Sequence, residues 1–315
     1  MPQAVVEIAA PDLGVHRDGN TGIPGVTRLD SGIPGPHVVI TALVHGNELC
    51  GAWALLRLLE RGIRPCRGRM SLAFVNTAAC DTFDAADPKA SRYLDEDLNR
   101  VWSVATLDGP RRSRELDRAR EIRPLIEDAD FLLDLHSMQP PAPPLLLTGI
   151  TDKGRRLAAA MGFPGCIVAD AGHRNGARMR DFGAFGDPHS PRTAVLVECG
   201  QHWAKRSVCV AIAACRQFLA ALDVVESRLL DRLGAAPPRG AQRLVEVTQT
   251  VTVMDGRFRF TKDYEGLEVI PKAGTVIAYD GGAPIRTPYD GCVLIMPSRR
   301  LARGFTAVRL GRFVK

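Results

Sequence analysis

The 315-residue sequence contains no apolar run approaching the roughly 20 residues that cross a bilayer, so we expect no membrane partner. Residues 1–7 lack the basic and apolar regions of a secretory signal peptide. The eight cysteines are scattered, with no CxxC pair and no spacing typical of a disulfide framework. Together these absences predict a reduced, cytoplasmic protein.

Internal repeats, long low-complexity tracts and signatures of nucleic-acid-binding folds are also absent. The net charge of +6 and the pI near 9.0 could suggest nucleic acid, but the arginines are dispersed and interleaved with acidic residues. The segment 111–118, which opens a predicted helix, is typical of a solvated charged face. We therefore expect no nucleic-acid partner, and a small anionic substrate is sufficient to explain locally useful positive charge.

Strands and helices alternate from residue 37 to about residue 232, which is typical of an α/β fold with a mixed, largely parallel sheet flanked by helices. Hydrophobic content of 45% is ample for a large core. The periodicity of apolar residues predicts helices over 49–60, 112–127, 152–162 and 202–232.

The last part of the chain changes character. Residues 234–240 are rich in glycine and proline and are typical of a linker. Residues 244–253 then alternate with period two, and several turn signals follow, which predicts a smaller C-terminal all-β domain. We expect one domain over 1–235 and a second over 236–315.

A strand followed by a histidine and a glutamate is the most specific feature. An apolar, β-branched run over 38–44 stops at His45, and Glu48 follows just before the predicted helix. Ligands bind at such strand-to-helix turns in open α/β sheets, and the two side chains can converge on one zinc ion. The alternative is a polar turn in which the helix dipole favours Glu48.

His136 is the candidate third ligand. It follows the apolar run 131–135, in which only Asp134 is polar. Three protein ligands that leave one position for water are typical of a catalytic zinc. Asp134 lies on the same face of the strand and could orient a ligand imidazole, although a buried structural aspartate is equally consistent with this position.

Glu198 ends a third apolar run, over 194–197. A carboxylate in such surroundings needs a partner or a function, because burial of an unpaired charge is costly. Near a metal-bound water it would act as general base and then as general acid.

The polar segment 91–100 supplies further candidates. Asn99 and Arg100 offer an amide and a planar set of donors that suit a substrate carboxylate. Arg92 is suited to stabilise negative charge that develops on an oxygen. The alternative is a solvated loop with internal ion pairs.

Four motifs in this order resemble the succinylglutamate desuccinylase/aspartoacylase family of the zinc carboxypeptidase superfamily. The resemblance covers roughly residues 37–200. The motifs are His45-Gly46-Asn47-Glu48, the segment 92–100, Asp134-Leu135-His136 and Val197-Glu198-Cys199-Gly200.

The resemblance implies a zinc-dependent amidohydrolase. His45, Glu48 and His136 would bind one Zn²⁺ per chain. Glu198 would activate the zinc-bound water and later protonate the leaving amine, while Arg92 would polarise the scissile carbonyl. The implied reaction is hydrolysis of an N-acyl amino acid or a similar small carboxylated amide.

The resemblance also implies how the substrate is held. Asn99 and Arg100 would bind its carboxylate, and the C-terminal β domain would cap the active site. Tyr289 and Tyr279 are candidate contacts from that cap, although a half-buried strand aromatic is the simpler interpretation of each.

Two departures leave the acyl group and the amine open. The family has a further arginine about ten residues before the catalytic glutamate, but residues 186–190 contain none, and Arg178, Arg180 and Arg192 do not match in position. The proline-rich stretch 140–144 is also unusual for the acetylaspartate and succinylglutamate enzymes. His173 and His202 are more simply structural than substrate contacts.

Two other functions share these residues. A metallocarboxypeptidase acting on short peptides would use the same chemistry, and a metal-binding or ligand-binding protein without catalysis would keep the ligands alone. The sequence leaves the oligomeric state open and allows a homo-oligomer.

Overall fold

A computed structural model describes residues 5–172, 175–238 and 240–314. The strands assigned within these residues are β1 (Val26–Asp30), β2 (His37–Ala42), β3 (Arg69–Phe74), β4 (Phe131–Met138), β5 (Leu145–Leu147), β6 (Cys166–Ala169), β7 (Thr193–Gln201), β8 (Arg243–Thr252), β9 (Arg259–Phe260), β10 (Glu268–Ile270), β11 (Val276–Asp280), β12 (Ala283–Arg286), β13 (Cys292–Ile295) and β14 (Thr306–Val314).

The α-helices in the same residues are α1 (Leu49–Glu60), α2 (Thr77–Cys80), α3 (Val104–Leu107), α4 (Arg114–Asp128), α5 (Asp152–Met161), α6 (Lys205–Ala221) and α7 (Ser227–Leu230). Short 3₁₀ turns span Gly14–Arg17, Ala90–Arg92, Leu98–Arg100, Met179–Asp181, Gly183–Phe185 and Asp231–Leu233. None of the described helices is both long and apolar enough to cross a bilayer.

One mixed sheet of eleven described strands organises the molecule, in the order β1-β3-β2-β4-β7-β5-β6-β8-β14-β13-β10. Strands β3, β2, β4 and β7 are parallel neighbours, which places their carboxyl ends along one edge. The edge strand β1 is antiparallel to β3, and β5 is antiparallel to β7. This confirms the predicted mixed α/β sheet.

Helices cover both faces of the sheet because its strands are apolar on both sides. Along β2, Ile40 packs in a cluster with α1, α5 and α6, whereas Val39 packs in a second cluster with α4. Successive strand residues point to opposite faces, so these two clusters lie on opposite sides. The near-continuous apolar strands recognised in the sequence are therefore buried strands of a covered sheet.

The prediction of one helix over 202–232 is wrong. Helix α6 ends at Ala221, Asp223 has a φ of 50°, and α7 begins at Ser227. Arg67 donates hydrogen bonds to the carbonyls of Leu222 and Asp223, each at 2.9 Å. These bonds satisfy carbonyls that a continuing helix would have used, and the chain turns back to the core there.

Strand ends also differ from expectation. Strand β2 ends at Ala42 because Leu43 has a φ of 58°, in the left-handed region. Strands β4 and β7 continue beyond His136 and Glu198 to Met138 and Gln201. The two residues therefore lie inside their strands and not at the ends.

The C-terminal residues form β structure, as predicted. Strand β8 pairs in parallel with β6, so the main sheet continues through the expected boundary at residue 236. Strands β14, β13 and β10 complete this sheet, and β12, β11 and β9 form a separate three-stranded antiparallel sheet. An apolar cluster joins the two parts of the chain, with Leu147 and Leu196 packed in the same group as Val245 and Val293.

Candidate metal centre and active site

A tight turn after β2 positions the first two candidate ligands. A Cβ atom at Gly46 would lie 2.5 Å from backbone atoms of Ala79, Cys80 and Ser91, so only glycine fits without a shift. The Gly46 amide donates a hydrogen bond to the carbonyl of Arg92 at 3.0 Å. The turn is thereby fixed against residues 90–100, here called the arginine segment.

His45, Glu48 and His136 converge as predicted. His45 Nδ1 lies 2.7 Å from Glu48 Oε1, and His136 Nδ1 lies 3.0 Å from Glu48 Oε2. All three side chains are buried, and one donor atom from each lies within 4.8 Å of the others. Donor atoms around a tetrahedral zinc lie roughly 3.3 Å apart, so a small movement suffices to accommodate the ion.

Each histidine is oriented through its other ring nitrogen. His45 Nε2 lies 2.9 Å from Asp97 Oδ1, and His136 Nε2 lies 2.9 Å from Asp134 Oδ2. Thr41 donates a hydrogen bond to the second oxygen of Asp134 at 2.7 Å. Carboxylates that hold the outer nitrogen are typical of metal-binding histidines, because they fix the tautomer that leaves Nδ1 free.

The charge balance of this cluster also fits a cation. Glu48, Asp97 and Asp134 are three carboxylates at the centre, with Glu198 beside them. Two guanidinium groups reach these carboxylates, Arg92 at 3.1 and 3.3 Å and Arg100 at 4.0 Å. Buried carboxylates need compensating positive charge. The donor set, its burial and its excess of negative charge therefore fit a divalent metal ion.

When no metal is bound, a proton on His136 supplies part of the positive charge that the buried carboxylates need. Burial alone would lower the pKa of His136, but the carboxylates of Asp134 and Glu48 overcome this and raise the pKa well above its usual range. Metal binding to His136 therefore displaces a proton.

Glu198 lies beside the centre, directly opposite His136 in the pairing of β4 with β7. Its side chain is 6% exposed, and Oε2 has no hydrogen-bond partner among the described residues. Burial and then repulsion from Glu48 raise the pKa of Glu198 to about 8. Such a carboxyl can exchange a proton near neutral pH, as a general base and acid must.

Arg92 reaches the same centre from the segment 90–100. It donates to Glu48 Oε1 at 3.1 Å and to Asp97 Oδ2 at 3.3 Å. Its side chain is 30% exposed, so it borders open space as well as the ligands. The structure thus places Arg92 between the candidate ligands and the cavity that it lines.

Asn99 and Arg100 lie on the outer side of His136. Asn99 Nδ2 is 3.3 Å from His136 Nε2, and its Oδ1 accepts a hydrogen bond from the Met179 amide at 2.9 Å. Arg100 donates to the Asn99 carbonyl at 2.7 Å. Burial lowers the pKa of Arg100 to about 10, with further lowering by nearby arginines including Arg178, which leaves a guanidinium suited to an anionic ligand.

Glu115 is a supporting residue that the sequence interpretation missed, since segment 111–118 was taken as a solvated face. The Glu115 side chain is fully buried. Its carboxylate accepts hydrogen bonds from the backbone amides of Leu94, Asp95 and Glu96 at 2.6, 2.9 and 3.2 Å. Helix α4 therefore anchors the segment that carries Arg92 and Asp97.

A cavity of about 640 Å³ opens above these residues. The C-terminal part of the chain contributes to its lining, including Met296, Arg300 and Arg309. Tyr289 is not among the lining residues, and its hydroxyl is hydrogen-bonded to Thr248 on strand β8. Tyr279 lies in the separate small sheet, under the guanidinium of Arg259.

His202 lies in the cavity wall and is 3% exposed. Its Nδ1 is 2.8 Å from Ser137 Oγ, and the Ser137 amide donates to Glu48 Oε2 at 2.9 Å. Burial lowers the pKa of His202 to about 4, so the imidazole is neutral at physiological pH. His173 lies outside the described residues.

Comparison with protein families finds a match over the part of the chain that carries the three candidate ligands. The sequence pattern of the Succinylglutamate desuccinylase/Aspartoacylase catalytic domain matches residues 34–140. Two curated relatives, from Mus musculus and Rattus norvegicus, are each described as an N-acyl-aromatic-L-amino acid amidohydrolase (carboxylate-forming), with 33% and 31% identity over 112 residues. The match covers 32% of this chain and only 33% of each relative.

Solved structures share the fold over nearly the whole chain. A succinylglutamate desuccinylase from Vibrio parahaemolyticus has a TM-score of 0.69 at 17% identity, covering 93% of this chain and 87% of that one. A product-bound ectoine utilization protein from Ruegeria pomeroyi has a TM-score of 0.65 at 18% identity, with 92% and 88% covered. At these identities the likeness concerns the fold.

Proposed function

We propose that this chain, whose residues 34–140 match the succinylglutamate desuccinylase/aspartoacylase catalytic domain, is a zinc-dependent amidohydrolase of that family. Its substrate is an N-acyl amino acid or a similar small carboxylated amide. The observation that carries the proposal is the convergence of His45, Glu48 and His136 beside a buried glutamate with an unpartnered oxygen. A binding protein would need the three ligands but not Glu198.

A zinc ion held by His45, Glu48 and His136 would supply Lewis-acid polarisation and a more acidic water. Glu198 takes a proton from the attacking water at Oε2 and returns it to the leaving nitrogen. Arg92 stabilises negative charge on the carbonyl oxygen from the open side of the centre. Asn99 and Arg100 hold the carboxylate of the amino acid.

Residues 236–315 cap the active site in this proposal. Support comes from the cavity lining, which includes Met296, Arg300 and Arg309. The guanidinium of Arg300 also lies 5.8 Å from the ring centre of Tyr93 on the arginine segment. A mouth bordered from both sides favours small amides over peptides. A metallocarboxypeptidase remains the alternative, and efficient cleavage of a tetrapeptide would favour it.

Glu198→Gln is the decisive variant. We expect it to bind zinc with unchanged stoichiometry and to lose at least about 100-fold in kcat, because removal of a general base or acid typically costs this much. The measurement combines metal content with amine release from a panel of N-acyl amino acids that vary in the acyl and the amino part.

Glu60→Gln is the matched control, since the Glu60 side chain is 60% exposed on α1. It should leave both zinc content and kcat unchanged. Normal turnover by Glu198→Gln would refute the proposed mechanism, and loss of zinc from that variant would assign Glu198 to metal binding instead.

A further inference from the structure

Charge is distributed unevenly around the cavity. The lining residues with cationic side chains are Lys89, Arg92, Arg100, Arg178, Arg299, Arg300 and Arg309. They come from residue 89, from the arginine segment, from residue 178 and from the C-terminal part of the chain. The other lining residues include a group without charged side chains, here called the neutral wall: Asn47, Ser137, Met138, Gln139, Pro140 and His202.

The neutral wall and the Asn99–Arg100 pair approach the centre from different sides. Asn99 lies near Nε2 of His136, whereas the neutral wall begins at Ser137, whose amide binds the Glu48 oxygen that faces Nδ1 of His136. A substrate whose carboxylate is held by Arg100 and whose scissile carbonyl lies at the centre therefore directs its acyl group towards the neutral wall.

His202 is held rigidly on this wall. Its backbone amide donates to the Met138 carbonyl at 2.9 Å, and its Nδ1 is paired with Ser137. The adjacent Trp203 is 1% exposed and donates from Nε1 to the Asn47 carbonyl at 3.1 Å. The imidazole is thus fixed with one nitrogen occupied.

Two polar atoms of the wall have no hydrogen-bond partner within the described part of the chain. They are Nε2 of His202, which none of the hydrogen bonds there uses, and the buried Oδ1 of Asn47. A buried oxygen without a partner is rare, and Nε2 of His202 is not among the fully buried unpaired atoms. Because His202 lines the cavity, a ligand there can hydrogen-bond to this nitrogen. Neither group offers a positive charge to a ligand carboxylate, since burial lowers the pKa of His202 to about 4 and the Asn47 amide does not ionise.

We propose that His202 is a specificity-determining residue that hydrogen-bonds an uncharged, polar acyl group, and that the negative charge of the substrate belongs to its amino-acid half. The inference rests on the proposed amidohydrolase function. A carboxylate in the acyl group would be buried against the uncharged side chains of this wall, which is unfavourable. The guanidinium groups among the remaining lining residues suit the carboxylate of the amine product.

Three substrates that differ only in the acyl group test this proposal. They are the N-acetyl, N-glycolyl and N-succinyl derivatives of one amino acid, and amine release by the zinc-loaded wild type is measured for each. The added hydroxyl should raise kcat/KM of the glycolyl derivative about fivefold to tenfold over the acetyl derivative, as one hydrogen bond contributes. The succinyl derivative should be at least about 100-fold poorer than both, since its carboxylate would stay unpaired.

His202→Ala should reduce the ratio of glycolyl to acetyl kcat/KM to about one, and His202→Gln should restore part of it. Ser137→Ala, which removes the partner of Nδ1, should reduce the ratio less. His189→Ala is the matched control, because His189 is exposed on a loop. Thermal unfolding and zinc content establish that each variant is folded.

Binding gives an independent measurement. The Kd of the glycolyl derivative for zinc-loaded Glu198→Gln should rise about fivefold to tenfold when His202→Ala is added, while the Kd of the acetyl derivative should stay unchanged.

The contrary outcomes separate the two proposals. Amine release that is fastest from the succinyl derivative, or an unchanged glycolyl-to-acetyl ratio in folded His202→Ala, overturns the assignment of His202 and leaves the amidohydrolase standing. An absence of amine release from every N-acyl amino acid overturns both. If His202→Ala does not fold, the wild-type substrate series and the Ser137→Ala variant decide the matter.

Discussion

At the scale of the residue, the two histidines of the centre illustrate what a local pattern can predict. Asp134 lies two positions from His136 in one strand, so its contact with that imidazole follows from strand geometry. Asp97 makes the equivalent contact with His45 across 52 positions of sequence, from an irregular segment. The first orienting carboxylate was therefore foreseeable and the second was not.

The carboxylates of Asp97 and Asp134 should affect the affinity for zinc. We expect Asp97→Asn and Asp134→Asn each to weaken zinc binding by about 10-fold to 100-fold, because each removes the acceptor that orients a ligand imidazole. Competition with a chromophoric chelator measures the Kd of zinc. Asp108→Asn, on an exposed carboxylate outside the centre, is the control and should leave that Kd unchanged. Unchanged zinc affinity in both test variants would contradict the assigned roles.

Removal of the metal should also lower stability. Without a cation the centre retains several buried carboxylates, and a ligand that binds only the folded state stabilises it according to its concentration relative to Kd. At 100 times Kd, zinc should add about 2.7 kcal/mol to the free energy of unfolding. Calorimetry of chelated and zinc-reconstituted protein measures the difference in Tm, and equal values would argue against a metal at this place.

At the scale of the element, apolar periodicity predicted α1 at its observed bounds but gave no sign of the break between α6 and α7. The break depends on Arg67, which caps the carbonyls of Leu222 and Asp223 from more than 150 positions away. Likewise, α4 was recognised from its pattern, but the buried role of Glu115 depends on a loop that packs onto it. Contacts distant in sequence decided both details.

Glu115 gives the prediction at this scale. Glu115→Gln replaces one acceptor oxygen by an amide nitrogen that faces backbone donors, so we expect it to cost about 2–4 kcal/mol of unfolding free energy. Displacement of Arg92 should also lower kcat/KM by about 100-fold. Urea unfolding and steady-state kinetics measure the two effects.

Asp117→Asn in the same turn of α4 is the matched control, since the Asp117 side chain is 41% exposed. It should change neither quantity appreciably. Equal behaviour of the two variants would mean that Glu115 does not anchor the arginine segment.

At the scale of the whole molecule, the change in composition near residue 236 predicted the all-β character of the C-terminal part but not its attachment. Strand β8 adds directly to β6, and Val245 and Val293 share an apolar cluster with Leu147 and Leu196. Sequence periodicity shows which residues form strands, whereas their partners depend on the assembled sheet.

This continuity predicts that residues 1–235 are not stable when produced alone. The fragment would expose the edge of β6 and half of an apolar cluster. We expect it to aggregate or to lack cooperative thermal unfolding, whereas the full chain should unfold in one transition. A soluble fragment with a sharp transition would support an independent first domain.

The reactive residues and the C-terminal part of the cavity lining come from different parts of the chain. The residues that would carry out bond cleavage lie on strands and turns before residue 200, whereas residues 296–300 and 305–309 contribute to the cavity lining. Substitutions in the later segment can therefore alter which molecules enter while the reactive groups keep their positions. Such an arrangement allows the same reactive groups to act on new substrates through changes in a segment far from them in sequence, in addition to changes in the neutral wall.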